Sequence, residues 1–413
     1  MPFPRVILRN NKADAVRRFH PWIFSGAIKG LEADVHDGDF VEVHTEKGEY
    51  LASGIYNSGN IAVKILSFQP VDDLDQLFLE RVQSAYFLRK QIGLATSDQT
   101  NCYRLINAEG DGLPGLIVDW YNGTAVMQAY SVGMHEQRDR LVNALKTVYG
   151  SQLQAVYDKS GTVLHKSKAQ ADNQYLLGER TSGEVLEYGH RFVVDWEEGQ
   201  KTGLFLDQRE NRERLTHYVK DKKVLNTFCY SGGFSIYAIA AQARCVHSVD
   251  SSAKALEWTR QNVELNSREL NSRELNSREL NSRELKNPAA AEHEIYAADV
   301  FDFLKTCDAD YDVIVLDPPA FAKGLSARHQ AVMAYKRLNA QAFAKVRSPG
   351  IVFTFSCSQV VPPDQFQGAV TAAAIESGRQ IRVLDHLTQP ADHPTSIYHP
   401  EGLYLKGLVL MVE

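Results

Sequence analysis

The chain has 413 residues, close to three times the roughly 150 of an average domain, so two or three domains are expected. With 44% hydrophobic and 23% charged residues it carries ample core material, which excludes global disorder and fibrous architectures. A net charge of −6 excludes a protein that coats nucleic acid indiscriminately, although local patches can differ from the total. No apolar run reaches the roughly 18 residues of a membrane-spanning helix, and the start Met1 to Arg5 has no secretion signal, so a soluble cytoplasmic protein without membrane partners is expected. Five cysteines (Cys102, Cys229, Cys245, Cys307 and Cys357) without CxxC spacing point to reduced thiols and to no metal site.

In chain order, the first thirty residues place Arg5, Arg9, Lys12, Arg17, Arg18 and Lys29 against one acid, Asp14, beside Phe19, Trp22 and Phe24. Such a segment is either an RNA-binding patch or a solvated face over core aromatics. From Phe40 to Phe68, Val41, Val43, Ile55, Ile61, Val63 and Ile65 are spaced between turn residues, which predicts short strands. A helix is predicted from Asp75 to Ile92, and strands from Arg104 to Trp120 and from Ala125 to Tyr130 around Gly110-Asp111-Gly112. A second helix from about Met134 to Thr147 and a strand from Ala155 to Asp158 follow. From about residue 190 strands alternate with helices, the pattern of a largely parallel, doubly wound α/β sheet whose ligands bind at the carboxyl ends of the strands. The expected division is therefore a β-rich module over 1–72, a mixed α/β domain over 73–189 and a doubly wound domain over 190–413.

One segment is of low complexity. Asn266-Ser267-Arg268-Glu269-Leu270 occurs four times in tandem, through residue 285. A five-residue period steps about 140° round a helix, so its leucines build no apolar face, while each Glu precedes an Arg by four residues, the favourable order for a solvated helix. A tolerated surface insertion is expected, with a partner-binding arm as the other option.

Four constellations carry chemistry. Val224 to Ser235 reads as a strand, a turn at Gly232-Gly233 and a helix, followed after the next strand by Asp250; this suits either a cofactor turn with a ribose-binding acid or a plain helix cap. Asp299 precedes a helix and is either its N-cap or a contact to an adenine amine. Val313 to Leu316 is a buried strand ending in Asp317-Pro318-Pro319, where the prolines remove backbone donors and leave acceptors for a flat, amine-bearing base. Cys357, in Ser356-Cys357-Ser358 at the end of the next strand, is either an apolar filler or a nucleophile.

Together Asn226 to Ser235, Asp250, Asp299, Asp317-Pro-Pro and Ser356-Cys357-Ser358 resemble a class I S-adenosylmethionine-dependent methyltransferase. More narrowly, His20 to Gly26, Gly110 to Leu116, Lys201-Thr202-Gly203, Leu206 to Arg209 and Pro400 to Gly407 resemble the ribosomal RNA large subunit methyltransferase I family. The resemblance implies an N-terminal PUA-type RNA-binding domain, a central α/β domain, a C-terminal Rossmann-like catalytic domain and 5-methylcytosine formation in 23S rRNA. It also implies a cofactor, S-adenosylmethionine, held by Asn226, Phe228, Gly232, Gly233, Asp250, Ser251, Asp299, Asp317 and Gln208. Catalysis falls to Cys357 and Asp317, and RNA contact to Arg5, Arg9, Lys12, Arg17 and Arg18. Asn226 stands where most methyltransferases have an acid. Amino-methylation of a purine, which needs no thiol, is the alternative chemistry, and a non-catalytic RNA-binding assembly factor the alternative class. Oligomeric state, homodimer or otherwise, stays open.

Overall fold

The computed structural model describes residues 3–32, 34–164, 171–278 and 291–413. They gather into two units: Met1–Tyr188 with Val194–Leu206 and Ala391–Gly402, and Gly189–Val193 with Asp207–Pro390 and Leu403–Glu413. Segments 194–206 and 391–402, which the sequence reading assigns to the doubly wound domain, thus belong to the first unit. Among the described residues no helix is long and apolar enough to cross a membrane.

The first unit starts with β1 (Arg5–Leu8), β2 (Trp22–Phe24), β3 (Ile28–Leu31), β4 (Phe40–Thr45), β5 (Tyr50–Tyr56) and β6 (Ile61–Ser67), in the order β2-β6-β5-β4-β1-β3. Val6, Leu8, Val41, Val43, Val63 and Ile65 share one buried core. Of the six cations of this segment, Arg5 and Lys29 lie in β1 and β3, while Arg9, Lys12, Arg17 and Arg18 lie in or beside the short helical turns Asn10–Lys12 and Asp14–Arg17 that join β1 to β2. A second sheet follows, β7 (Cys102–Asn107), β8 (Leu116–Tyr121), β9 (Thr124–Ala129), β10 (Ala155–Asp158) and β11 (Gln174–Leu177), ordered β11-β10-β9-β8-β7. Helix Leu74–Gln91, capped by Asp73 through the N–H groups of Asp75 and Gln76, and helix Arg138–Tyr149 bury Phe78, Val82, Leu141 and Leu145 against it. The helix expected from Met134 to Thr147 is two, Val132–Glu136 and Arg138–Tyr149, broken at Gln137. Strand β12 (Glu184–Glu187) closes this run.

The second unit opens with β13 (His190–Val193). Its sheet contains β14 (Lys223–Thr227), β15 (Cys245–Asp250), β16 (Glu292–Ala297), β17 (Tyr311–Leu316), β18 (Val346–Ser356), β19 (Ile381–Thr388) and β20 (Lys406–Val412), ordered β16-β15-β14-β17-β18-β20-β19. The first five are parallel, and β20 runs antiparallel to both β18 and β19. Val313 and Val315 point into one core, Ile314 and Leu316 into another, so the strand is apolar throughout because both faces of the sheet are covered.

Helix Ala253–Arg278 carries two buried carboxamides one turn apart. Asn262 accepts from Val193 N at 2.8 Å and donates to Ser231 O at 3.1 Å; Asn266 accepts from Arg191 N at 2.9 Å and donates to Arg191 O at 2.7 Å. The first residue of the repeat is therefore a structural anchor, which corrects the reading of the entire repeat as an insertion. Residues 279–285 of the repeat lie outside the described residues.

Candidate functional site

In the second unit β14 is flanked by β15 on one side and β17 on the other, so the chain changes direction across the sheet there, and a crevice at the carboxyl ends is the natural binding place. The loop leaving β14 is strongly coiled, with Phe228 (φ 53°), Tyr230 (φ 48°) and Gly232 (φ 80°) all in the left-handed region. Each such non-glycine residue costs on the order of 1 kcal/mol, a strain that concentrates at ligand sites. It is held by Tyr230 N donating to Asp250 Oδ2 at 3.0 Å and Thr259 Oγ1 donating to Tyr230 O at 2.8 Å. A Cβ on Gly232 would lie 2.9 Å from Thr259 Cγ2, and one on Gly233 2.9 Å from Arg212 Cδ, so both positions exclude a side chain.

Beneath this turn Asn226 is fully buried. Its Nδ2 donates to Ser235 Oγ at 2.8 Å, and its Oδ1 has no hydrogen-bond partner. The polar chain continues from Ser235 Oγ to Ser248 Oγ at 2.7 Å and on to His293 Nε2 at 2.9 Å; burial pulls His293 down to about 4, which keeps it neutral near pH 7. Asp250 ends β15 with each carboxylate oxygen taking one backbone N–H, from Tyr230 and, at 2.9 Å, from Ser252, and exposed Ser251 sits between. An open buried acceptor below a side-chain-free turn, next to an oriented carboxylate, fits a nucleoside-bearing group.

Asp299 caps helix Val300–Thr306, its Oδ1 accepting from Phe301 N at 2.9 Å and Asp302 N at 3.2 Å. The helix-cap role is thus present, on one oxygen of an exposed carboxylate. At the end of β17, Asp317 Oδ1 accepts from Gln208 Nε2 at 2.9 Å, and Gln208 Oε1 accepts from Asn211 at 2.6 Å. Gln208, expected to touch the cofactor, is bonded to the carboxylate of Asp317.

Cys357 follows β18, half-buried, with its Sγ 3.9 Å from Pro318 O. Ser356 Oγ donates to Tyr335 Oη at 2.9 Å, and burial pushes the Tyr335 phenol far up, with Cys357 and Asp317 adding to the rise. Lys406, the first residue of β20, pairs in register with Ser356 and donates from Nζ to Ser358 O at 2.6 Å and Tyr404 O at 2.9 Å. Thiol and carboxylate thus stand at the ends of neighbouring strands, with the ammonium at the start of the paired β20 and the buried phenol beneath, a set able to add a nucleophile to a base and to accept from its amine. Lys406 and Tyr335 were not singled out from sequence: the first lies on an antiparallel strand and the second in the middle of helix Arg328–Lys345.

In the first unit Arg5, Arg9, Lys12, Arg17 and Arg18 are all exposed. Arg17 pairs with Glu49 at 2.6 Å and Asp14 at 3.5 Å, so its charge is offset inside the module, while Arg9 Nε donates to Ile28 O at 3.3 Å and keeps its charge. Phe19, at φ 64°, lies 5.3 Å from Tyr398 between ring centroids, and Phe19, Phe24 and Tyr398 are 47%, 51% and 51% exposed.

The family of PUA-like domains matches residues 6–68, and that of S-adenosylmethionine-dependent methyltransferases residues 104–397. The chain is 36% identical over 416 residues to the ribosomal RNA large subunit methyltransferase I of Escherichia coli O139:H28 and to that of Escherichia coli O157:H7, with 99% of each chain covered. In fold it is similar to a SAM-dependent methyltransferase from Streptococcus mutans (TM-score 0.80, 23% identity) and to a methyltransferase complexed with SAH (TM-score 0.78, 23% identity), over 100% of each chain. Sheet order, carboxyl-edge site and matched family define a class I methyltransferase whose cofactor is S-adenosylmethionine. The particular group is equally plain: the chain belongs to the ribosomal RNA large subunit methyltransferase I family.

Proposed function

We infer that the protein methylates carbon 5 of a cytosine in large-subunit (23S) ribosomal RNA through a transient bond to Cys357. The observation that carries this reading is the thiol at the carboxyl end of β18, beside Pro318 O and on the same edge as Asp317. Carbon 5 of cytosine is too weak a nucleophile to take a methyl group unaided, and addition of a thiolate at carbon 6 makes it electron-rich. S-adenosylmethionine, when bound, supplies an electrophilic methyl group. Asn226, Phe228, Gly232, Gly233, Asp250, Ser251 and Asp299 hold it along the ends of β14, β15 and β16. Asp317, oriented by Gln208, accepts from the cytosine amine and stabilises the adduct. Once carbon 5 carries the methyl group, its proton passes to water and the electron pair of that C–H bond re-forms the 5,6 double bond, breaking the carbon 6–sulfur bond and restoring Cys357 as the thiolate.

Exposed Arg5, Arg9, Lys12 and Arg18 support RNA contact at the PUA-like module, with Arg17 already half-neutralised by Glu49. The neighbouring exposed rings of Phe19, Phe24 and Tyr398 offer stacking faces for unpaired bases.

The test is an RNA in which the target cytosine carries fluorine at carbon 5. The fluorine cannot leave as a proton does, so the thioether persists, and mass spectrometry is expected to find the RNA attached to Cys357; methylation without any trapped adduct would overturn the mechanism. Asp250→Ala is expected to weaken S-adenosylmethionine binding about 10- to 100-fold, the worth of one or two hydrogen bonds to a charged acceptor. Calorimetry checks this, and unchanged affinity would remove Asp250 from the cofactor site.

A further inference from the structure

Lys406 occupies an unusual place for an ammonium group. It is half-buried at the start of β20, and two of its three donors go to carbonyl oxygens, Ser358 O and Tyr404 O. Carbonyls carry only partial charge, so they satisfy its hydrogen bonds without neutralising it. The Tyr404 segment is itself pinned, by Gln389 Oε1 accepting from Tyr404 N at 3.1 Å and by Tyr404 Oη donating to Asp207 Oδ2 at 2.7 Å, so one of the two carbonyls that seat the ammonium is held in place. Cys357 is the residue directly before Ser358, to which Lys406 is bonded.

We propose that Lys406 is a positioning residue that holds Cys357 as a thiolate by fixing a positive charge at the carboxyl edge of β18; this rests on the reading of Cys357 as the nucleophile. When the thiol ionises, its proton leaves to water and the ammonium keeps its own three, so the charge pair forms without any further reactant. Burial pulls Lys406 down to about 8, and Cys357 is the group that opposes this shift. Two further groups belong to this edge: the Asp317 carboxylate at the end of β17, whose charge disfavours a thiolate, and the Tyr335 phenol, which burial keeps protonated and on which Cys357 acts electrostatically. A fixed cation is therefore what the edge requires for a reactive sulfur at neutral pH.

The experiment measures alkylation of Cys357 by iodoacetamide as a function of pH, by peptide mass spectrometry on the full-length protein without RNA. In Lys406→Met the midpoint is expected to rise by about one to two pH units, the effect of removing an adjacent opposite charge, while Cys307 keeps its profile. Lys406→Arg should restore most of the low midpoint. Lys406→Gln, which retains N–H donors for both carbonyls, should behave like Lys406→Met, and it serves where the methionine variant does not fold. Cofactor affinity is expected to stay unchanged in each variant. A Cys357 profile identical to wild type in the uncharged variants would overturn the proposal. If Cys357→Ala kept full methyl transfer, the nucleophile reading itself would fail, whatever the lysine variants show.

Discussion

Cys357→Ala is expected to lower methyl transfer to cytosine by at least about 10³-fold, with S-adenosylmethionine affinity within about twofold of wild type. The size follows from the role. A nucleophile that makes and breaks a bond in every turnover has no substitute in a methyl group, whereas the structural cost of trimming one half-buried sulfur is about 1 kcal/mol. The residues proposed to hold the cofactor on β14 and β15 make no bond to that sulfur among those described, so the cofactor binding constant reports whether the fold survives. Quantifying 5-methylcytosine in rRNA fragments after single turnover measures the effect. Retained activity would shift the chemistry to an exocyclic amine, where Asp317-Pro318-Pro319 suffices and the thiol is filler.

A second large effect concerns stability. Arg89, on helix Leu74–Gln91, is fully buried and grips Asp111 with Nη1 at 2.5 Å and Nη2 at 2.8 Å; it also donates to Arg104 O at 2.7 Å and Asp392 O at 2.6 Å. Asp111 further accepts from Asn107 N at 2.6 Å. Asp111→Ala leaves a guanidinium buried without its counter-charge, which costs about 3 to 5 kcal/mol. Denaturant titration should show the first unit unfolding at markedly lower concentration. The double variant Arg89→Met with Asp111→Leu should recover much of the loss, because an apolar pair in that place leaves no stranded charge. A loss below about 1 kcal/mol in the single variant would show that the site relaxes or hydrates. The Gly110-Asp111-Gly112 signature thus has a structural meaning: Gly112 takes φ 70°, and a Cβ on Gly110 would meet Pro394 O.

The parallel strands were the most readable part of the chain. Lys223–Thr227 starts one residue before the strand read from Val224, and Tyr311–Leu316 extends the run Val313 to Leu316 by two residues, since strands covered on both faces write continuous apolar runs. Strands β1 to β3 were hidden because they are only three or four residues long and their exposed positions mix Arg5 and Lys29 with Phe24 and Leu31, which leaves no clear alternation. Residues at or just after the carboxyl ends of the parallel strands, Asn226 and Asp250 within β14 and β15 and Asp317 and Cys357 just beyond β17 and β18, could be found because one rule, carboxyl ends gather ligands, locates them all. Lys406 escaped that rule. An antiparallel strand delivers its first residue, not its last, to that edge, and its place beside β18 is set by pairing across about fifty residues. The return of 391–402 to the first unit was equally silent, because the contacts that hold it, such as Arg104 N to Asp392 Oδ2 at 3.0 Å, join positions far apart in sequence.

The carboxamide clamp at the root of helix Ala253–Arg278 has a bearing on how the chain tolerates change in length. Asn266, the first residue of the tandem tract, both accepts from Arg191 N and donates to Arg191 O, so the helix is tied to β13 at the point where the tract begins. A change of copy number beyond Asn266 leaves both carboxamide anchors in the sequence, so a variant shortened by one NSREL unit within 271–285 is expected to keep the tie between this helix and β13.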